Sequence, residues 1–315
     1  MTVVWAILQK QNLFLNMHLK AINQQLELPE FLENGFSVFI KREDVLHPLA
    51  SGNKWRKLYY NIRAFKDSKA KAILTFGGAY SNHLIAVAAM AKQKNISAIG
   101  IVRGDELAYK PLNPTLAGCQ QNGMQLVFVS REEYAQKDAG KTVKALQQTH
   151  GALYVLPEGG TNNLAVKGCM EILSEEDAVF DTIGCAVGTG GTLAGLAASA
   201  IDHQSVVGFQ MVNDATIPER IRTFASRENW SLVQHATYRG YAQADTRLVA
   251  FATVVLQQTG VLLDPIYTAP MLFQLVQMIK DNTWKFGSNI LLIHTGGLQA
   301  IAGFNSRYDL QWPEA

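Results

Sequence analysis

Short apolar runs recur along the chain, each followed by a stretch with helical spacing. The runs are KAILTF (71–76), SAIGIV (97–102), QLVFVS (125–130), ALYVLP (152–157), TIGCAV (182–187), SVVGFQMV (205–212) and NILLIHT (289–295). They are strand-length, rich in Val and Ile, and apolar almost throughout. That pattern predicts strands buried on both faces of a parallel sheet. SNHLIAVAAMAKQK, REEYAQKDAGKTVKALQQTH and NNLAVKGCMEILSEE, which lie between runs, read as helices. Strand and helix in alternation predict an α/β fold with right-handed crossovers. No Pro/Gly/Ser linker and no repeat divides the chain.

Composition narrows the class. The chain has 315 residues, 48% of them apolar and 17% charged, with a net charge of +2. That length suggests two domains, and the balance is that of a core-rich globular protein. No block of like charge suggests a nucleic-acid surface. No apolar run is long enough to predict a membrane span, and the N-terminus lacks a basic leader, so the expectation is a cytoplasmic protein. Cys119, Cys169 and Cys185 have no pairing or metal spacing and read as small buried side chains of a reducing compartment. The histidines are scattered, so no metal site is expected.

In open α/β sheets ligands bind beyond the carboxyl ends of strands. Three such ends are glycine-rich: GGAYSNH (77–83), GTGGT (188–192) and Gly296–Gly297. GTGGT follows a strand and opens a helix, so its amides and the helix dipole can cradle a phosphate; a plain βα turn is the other reading. It is neither a Walker loop nor a dinucleotide fingerprint. Ser81 can cap its helix or, with Asn82, grip a carboxylate, and spacing does not decide between them. His83 reads as mainly structural. Tyr267, in DPIYT, can stack on a flat ring or half-bury in the core. In SGNKWRK (51–57), Lys54 follows a glycine that lets the backbone approach a ligand, or else is a solvated lysine at a helix start.

Together these motifs carry a resemblance. KREDVLHPLASGNKWRKLYYNI, FGGAYSNHLIAVAA, GTGGTLAGL, LLDPIYT and LLIHTGG resemble the 1-aminocyclopropane-1-carboxylate deaminase and D-cysteine desulfhydrase family. These are pyridoxal-phosphate enzymes of the tryptophan synthase β fold type (fold type II). The matches run in the family's order from about residue 36 onward. The resemblance implies two α/β domains with parallel-rich sheets flanked by helices: a small one over residues 57–163, and a large cofactor-binding one over 1–56 and 164–315. It implies Lys54 as the Schiff-base lysine and Gly188, Thr189, Gly190, Gly191 and Thr192 around the phosphate. Asn82 would meet the ring's phenolic oxygen, and Ser81, with Asn82, His83 and Tyr80 nearby, the substrate. Tyr267 and Tyr241 would be the active-site tyrosines, and the protein a homodimer.

Thr268 stands where the cyclopropane deaminases typically carry a glutamate facing the pyridine nitrogen. A hydroxyl supplies no counter-charge, which suits β-elimination. The implied reaction is conversion of D-cysteine to pyruvate, hydrogen sulfide and ammonia. Alternatives are 1-aminocyclopropane-1-carboxylate, cysteate or D-serine as substrate, a pyridoxal-phosphate-binding protein without useful catalysis, or a nucleotide-binding α/β protein. Tyr80 stands where glutamine is frequent, Ile85 where arginine is common, and Ala269–Pro270 where Gly-Lys is usual.

Overall fold

The computed structural model describes residues 21–47, 50–234 and 246–313. Among the described residues ten strands fall in two sheets. The larger contains β1 (Asn23–Gln25), β2 (Ser37–Lys41), β7 (Thr182–Val187), β8 (Ser205–Gln210), β9 (Trp230–Gln234) and β10 (Asn289–Ile293), in the order β1-β2-β10-β7-β8-β9. The smaller contains β3 (Ala72–Gly77), β4 (Ser97–Arg103), β5 (Met124–Val129) and β6 (Leu153–Val155), in the order β5-β4-β3-β6. All pairings are parallel except β1 with β2, which is antiparallel.

The apolar runs occupy the sheet centres. Every residue of β3 and of β7 is buried. Successive residues feed opposite faces: Ile290 and Leu292 join one core, Leu291 and Ile293 the other. This period of two explains why central strands read as unbroken apolar runs. Strands β1, β2 and β9, unannounced by such runs, add two edges and a neighbour to the larger sheet. The long helical stretch after β5 is broken. Helices Arg131–Ala135 and Lys141–His150 are separated by a turn in which Lys137 has φ 51°.

Three helices stack through glycines. A Cβ on Gly168, in helix Asn163–Met170, would lie 2.0 Å from the carbonyl oxygen of Arg56 in helix Asn53–Asp67. A Cβ on Gly195, in helix Gly191–Ser199, would lie 2.4 Å from Cys169 Cβ. Backbone-close packing of this kind tolerates only glycine. It ties the helix bearing Lys54 to the helix that follows GTGGT.

The polar run Lys41–Asp44 is absorbed by buried pairing. Lys41 meets Asp177 at 2.7 Å, Arg42 meets Asp44 at 2.8 Å, and Glu43 receives Arg56 through two bonds of 2.7 and 2.8 Å. Among the described residues no helix is long and apolar enough to cross a membrane.

Candidate active site

A cavity of about 1410 Å³ opens where the ends of β3, β7 and β10 converge. Lys54, Asn82, Gly188, Thr189, Tyr267, Thr295 and Gly296 are all on its wall. The three glycine-rich strand ends therefore meet at one site.

Gly52 sets Lys54 in place. It has φ 62°, and its amide donates to Glu43 O at 2.9 Å. The next residue, Asn53, begins the helix, with its side-chain amide on Thr192 Oγ1 at 2.9 Å. Among the described residues nothing hydrogen-bonds or ion-pairs with Lys54 Nζ, which reaches the cavity. Burial above all, and then the charge of Lys57, pushes the ammonium down to about 7, against the pull of Cys169 and Asp264.

Lys57 was not singled out by the sequence, although it lies at i+3 from Lys54 and so on the same helix face. It is fully buried. Its ammonium donates to Gly159 O at 3.1 Å, Thr161 Oγ1 at 3.1 Å and Thr189 Oγ1 at 3.5 Å. None of these acceptors is charged, and burial lowers its pKa. Beside it, Gly190 has φ 87° and caps helix Gly191–Ser199 without a side-chain bond, leaving the first helical amides open. A buried cation without a counter-charge next to open helix amides fits a phosphate group.

The second strand end is held differently. Ser81 caps helix Asn82–Gln93, accepting Leu84 N at 3.3 Å, so the capping role is realised. Ser81 and Asn82 nonetheless line the cavity, and Tyr80, half exposed, stands at its mouth. His83 is buried. The Thr75 hydroxyl donates to Leu156 O at 3.1 Å, so His83 Nε2–H donates to Thr75 Oγ1 at 2.8 Å. Its Nδ1 has no partner, and burial with Lys54 and Lys57 nearby holds its pKa well below the ordinary value. These contacts tie the helix to β3. Ile85 is core, packed toward Gly118 of the neighbouring helix.

Asp264 organises the third side. Its carboxylate accepts Ile266 N at 3.1 Å, Tyr267 N at 2.7 Å and Thr268 N at 3.1 Å. Burial pushes its carboxyl up to about 7, while those amides and Lys54 favour its charged form. Tyr267 lies beside Gly188, its Cε1 3.4 Å from where a Cβ there would stand. The Thr268 hydroxyl is buried, accepting Asp264 N at 2.8 Å and donating to Asp264 O at 3.3 Å. Thr268 is not on the cavity wall, which corrects the expectation that it meets the cofactor ring, whereas Thr161, Thr189, Thr192 and Thr295 are on it. Gly191 lies just behind the wall, against Thr161, and Tyr241 lies outside the described residues.

A fold of two parallel-rich sheets, with a lysine of lowered pKa and a glycine-rich helix start on one cavity between them, is that of the fold type II pyridoxal-phosphate enzymes. The chain belongs to the pyridoxal-phosphate-dependent enzyme family, which matches residues 22–296. Among its relatives, a Thermotoga maritima protein provisionally named 1-aminocyclopropane-1-carboxylate deaminase is 34% identical over 84% of this chain and 89% of its own length. The Arabidopsis thaliana bifunctional D-cysteine desulfhydrase/1-aminocyclopropane-1-carboxylate deaminase, mitochondrial, is 30% identical over 86% of this chain and 74% of its own. The crystal structure of an ACC deaminase homologue superposes with a TM-score of 0.79 at 24% identity, covering 91% of this chain and 92% of that one.

Proposed function

We propose that the protein eliminates the β-substituent and amino group of a small amino acid, with D-cysteine and water giving pyruvate, hydrogen sulfide and ammonia. The observation that carries the reading is Lys54. It is an amine held near neutrality at the wall of a cavity that also offers an uncompensated buried Lys57.

Pyridoxal phosphate, when bound, would withdraw electrons from the substrate's α-carbon. Lys57, Thr189 and the open amides after Gly190 would hold its phosphate, and Lys54 would be its point of attachment. Lys54 Nζ, on the cavity wall with its pKa lowered to about 7, would take the substrate's α-proton. Ser81 and Asn82 would orient the carboxylate, and Tyr267 would cover the reacting centre from the Gly188 side. The Thr268 hydroxyl is committed to Asp264 and lies off the cavity wall, so it does not separate elimination from ring opening, and the choice between them rests on the product measurement below.

A second reading, deamination of 1-aminocyclopropane-1-carboxylate, draws support from the names of the two relatives. Release of 2-oxo acid from D-cysteine, L-cysteine and 1-aminocyclopropane-1-carboxylate by the cofactor-loaded protein separates the readings. Pyruvate from D-cysteine alone is expected. 2-Oxobutyrate from the cyclopropane would transfer the assignment to the second reading, and no product from any of the three would overturn both.

The proposal includes a cytoplasmic homodimer, checked by light scattering and fractionation. It also includes a small domain over 57–163, supported by all four strands of the smaller sheet lying between Ala72 and Val155.

A further inference from the structure

The outer part of the cavity is charged. Arg103, Arg131, Lys137 and Arg220 line it. Three of these have carboxylate partners: Arg131 with Glu106 at 2.6 Å, Lys137 with Glu158 at 2.7 Å, and Arg220 with Asp214 at 2.9 Å. Arg103, exposed at the rim, has no hydrogen bond or close ion pair among the described residues, although its charge helps hold the Glu158 carboxyl down. Its guanidinium lies over the Tyr134 ring, 5.8 Å from the guanidinium carbon to the centroid.

Its position is specific. Arg103 ends β4, next to β3, whose end carries the Gly77–His83 turn. Its Nη2 lies 3.6 Å from where a Cβ on Gly78 would stand, and Gly78 O accepts Ser81 N at 3.1 Å. The guanidinium is thus one tight turn from the serine proposed for the α-carboxylate. On its other side Tyr134 is fixed, its hydroxyl donating to Glu158 at 2.7 Å and its ring covered by Lys137 at 3.6 Å. Lys137 adopts its left-handed backbone in making these contacts. Arginine on an aromatic face keeps its in-plane donors available for a planar or tetrahedral anion.

The cavity also has room. At about 1410 Å³ it exceeds the roughly 300–1,000 Å³ usual for small-molecule sites. That is more than a three-carbon amino acid fills, and Arg103 is on the same wall as Lys54. D-cysteine carries a side-chain charge only when its thiol ionises, near about 8.5 in water, whereas a carboxylate or sulfonate carries one at neutral pH.

We infer that Arg103 anchors a second anionic group on the substrate, so that the site prefers amino acids whose short side chain ends in a carboxylate or sulfonate over neutral ones of the same shape. This rests on the pyridoxal-phosphate reading of the cavity and adds a specificity-determining residue to it.

The test titrates the cofactor-loaded protein with the D and L forms of aspartate and asparagine, which match in shape and differ in charge. The change in cofactor absorbance reports binding. One antipode of aspartate is expected to bind about tenfold tighter than the matching asparagine. Arg103→Gln should bring that ratio to about one, Arg103→Lys should keep part of it, and Arg131→Gln, which removes a paired guanidinium, should leave it in place. Equal binding of the two in the unmodified protein, no response to aspartate at millimolar concentration, or a ratio that survives Arg103→Gln overturns the inference. A protein that takes up no cofactor overturns the parent reading, and the inference with it. That failure is visible before any amino acid is added.

Discussion

Gly52 lies against the carbonyl of Thr295: a Cβ there would stand 2.1 Å from Thr295 O and 2.5 Å from Gly296 N. The helix carrying Lys54 therefore starts in contact with the end of β10, and its left-handed φ of 62° reinforces the requirement for glycine. Gly52→Ala would have to move the helix start or the strand end. Backbone strain alone costs about 1–3 kcal/mol. We expect cofactor affinity to fall at least tenfold, measured by absorbance titration; an unchanged titration would show that the contact is dispensable.

The depressed pKa of Lys54 gives a pH signature. An amine with a pKa of about 7 is mostly free base above that pH, whereas a solvated lysine at 10.5 is not. Acylation of Lys54 in cofactor-free protein should rise with pH to about 7 and then level off. Because the folded value lies below the unfolded one, this lysine's contribution to stability increases as pH rises from about 7 toward 10.5. Urea midpoints at pH 7 and pH 9.5 should show a smaller rise for Lys54→Met than for the unmodified protein.

Lys57 and Thr189 should act on the phosphate rather than the ring. Lys57→Met removes the buried charge and keeps much of the side chain's length. The expectation is a loss on the order of 10- to 100-fold in affinity for pyridoxal phosphate, with little change for pyridoxal, which lacks the phosphate. Equal losses for both compounds would assign Lys57 a packing role.

Glu43, fully buried in the turn after β2, and Arg56, on the helix that carries Lys54, form a two-bond pair. Removing one partner strands the other charge in the interior. Arg56→Met should destabilise the fold by about 3 kcal/mol, read from the urea midpoint, while Arg131→Gln, at an exposed pair, should change stability by less than about 1 kcal/mol.

Much of this protein is readable one residue after another. Strands β3 and β7 are announced because both of their faces are apolar, and the glycine-rich ends follow directly from knowing where those strands stop. Ser81 as a cap and Lys54 behind a glycine are local signals as well. By contrast, β1, β2 and β9 are sheet neighbours without continuous apolar runs, so they become strands only when a partner pairs with them. The break around Lys137 likewise overrides a helical sequence pattern for contacts with Tyr134 and Glu158, 3 and 21 positions away.

The sequence by itself determined the fold class, the positions of the three glycine-rich turns and the residue types that chemistry at those turns requires. Only the tertiary structure decided which polar groups are free to act. Lys57 became a phosphate-binding candidate because its three oxygen partners, from residues 159, 161 and 189, are all uncharged. The Thr268 hydroxyl is committed to Asp264, whereas Arg103 is left without a close ion pair because Lys137 takes Glu158. Charge and hydrogen bonding act over a few ångströms of space, so partners remote in sequence set a side chain's state, and no local pattern records them.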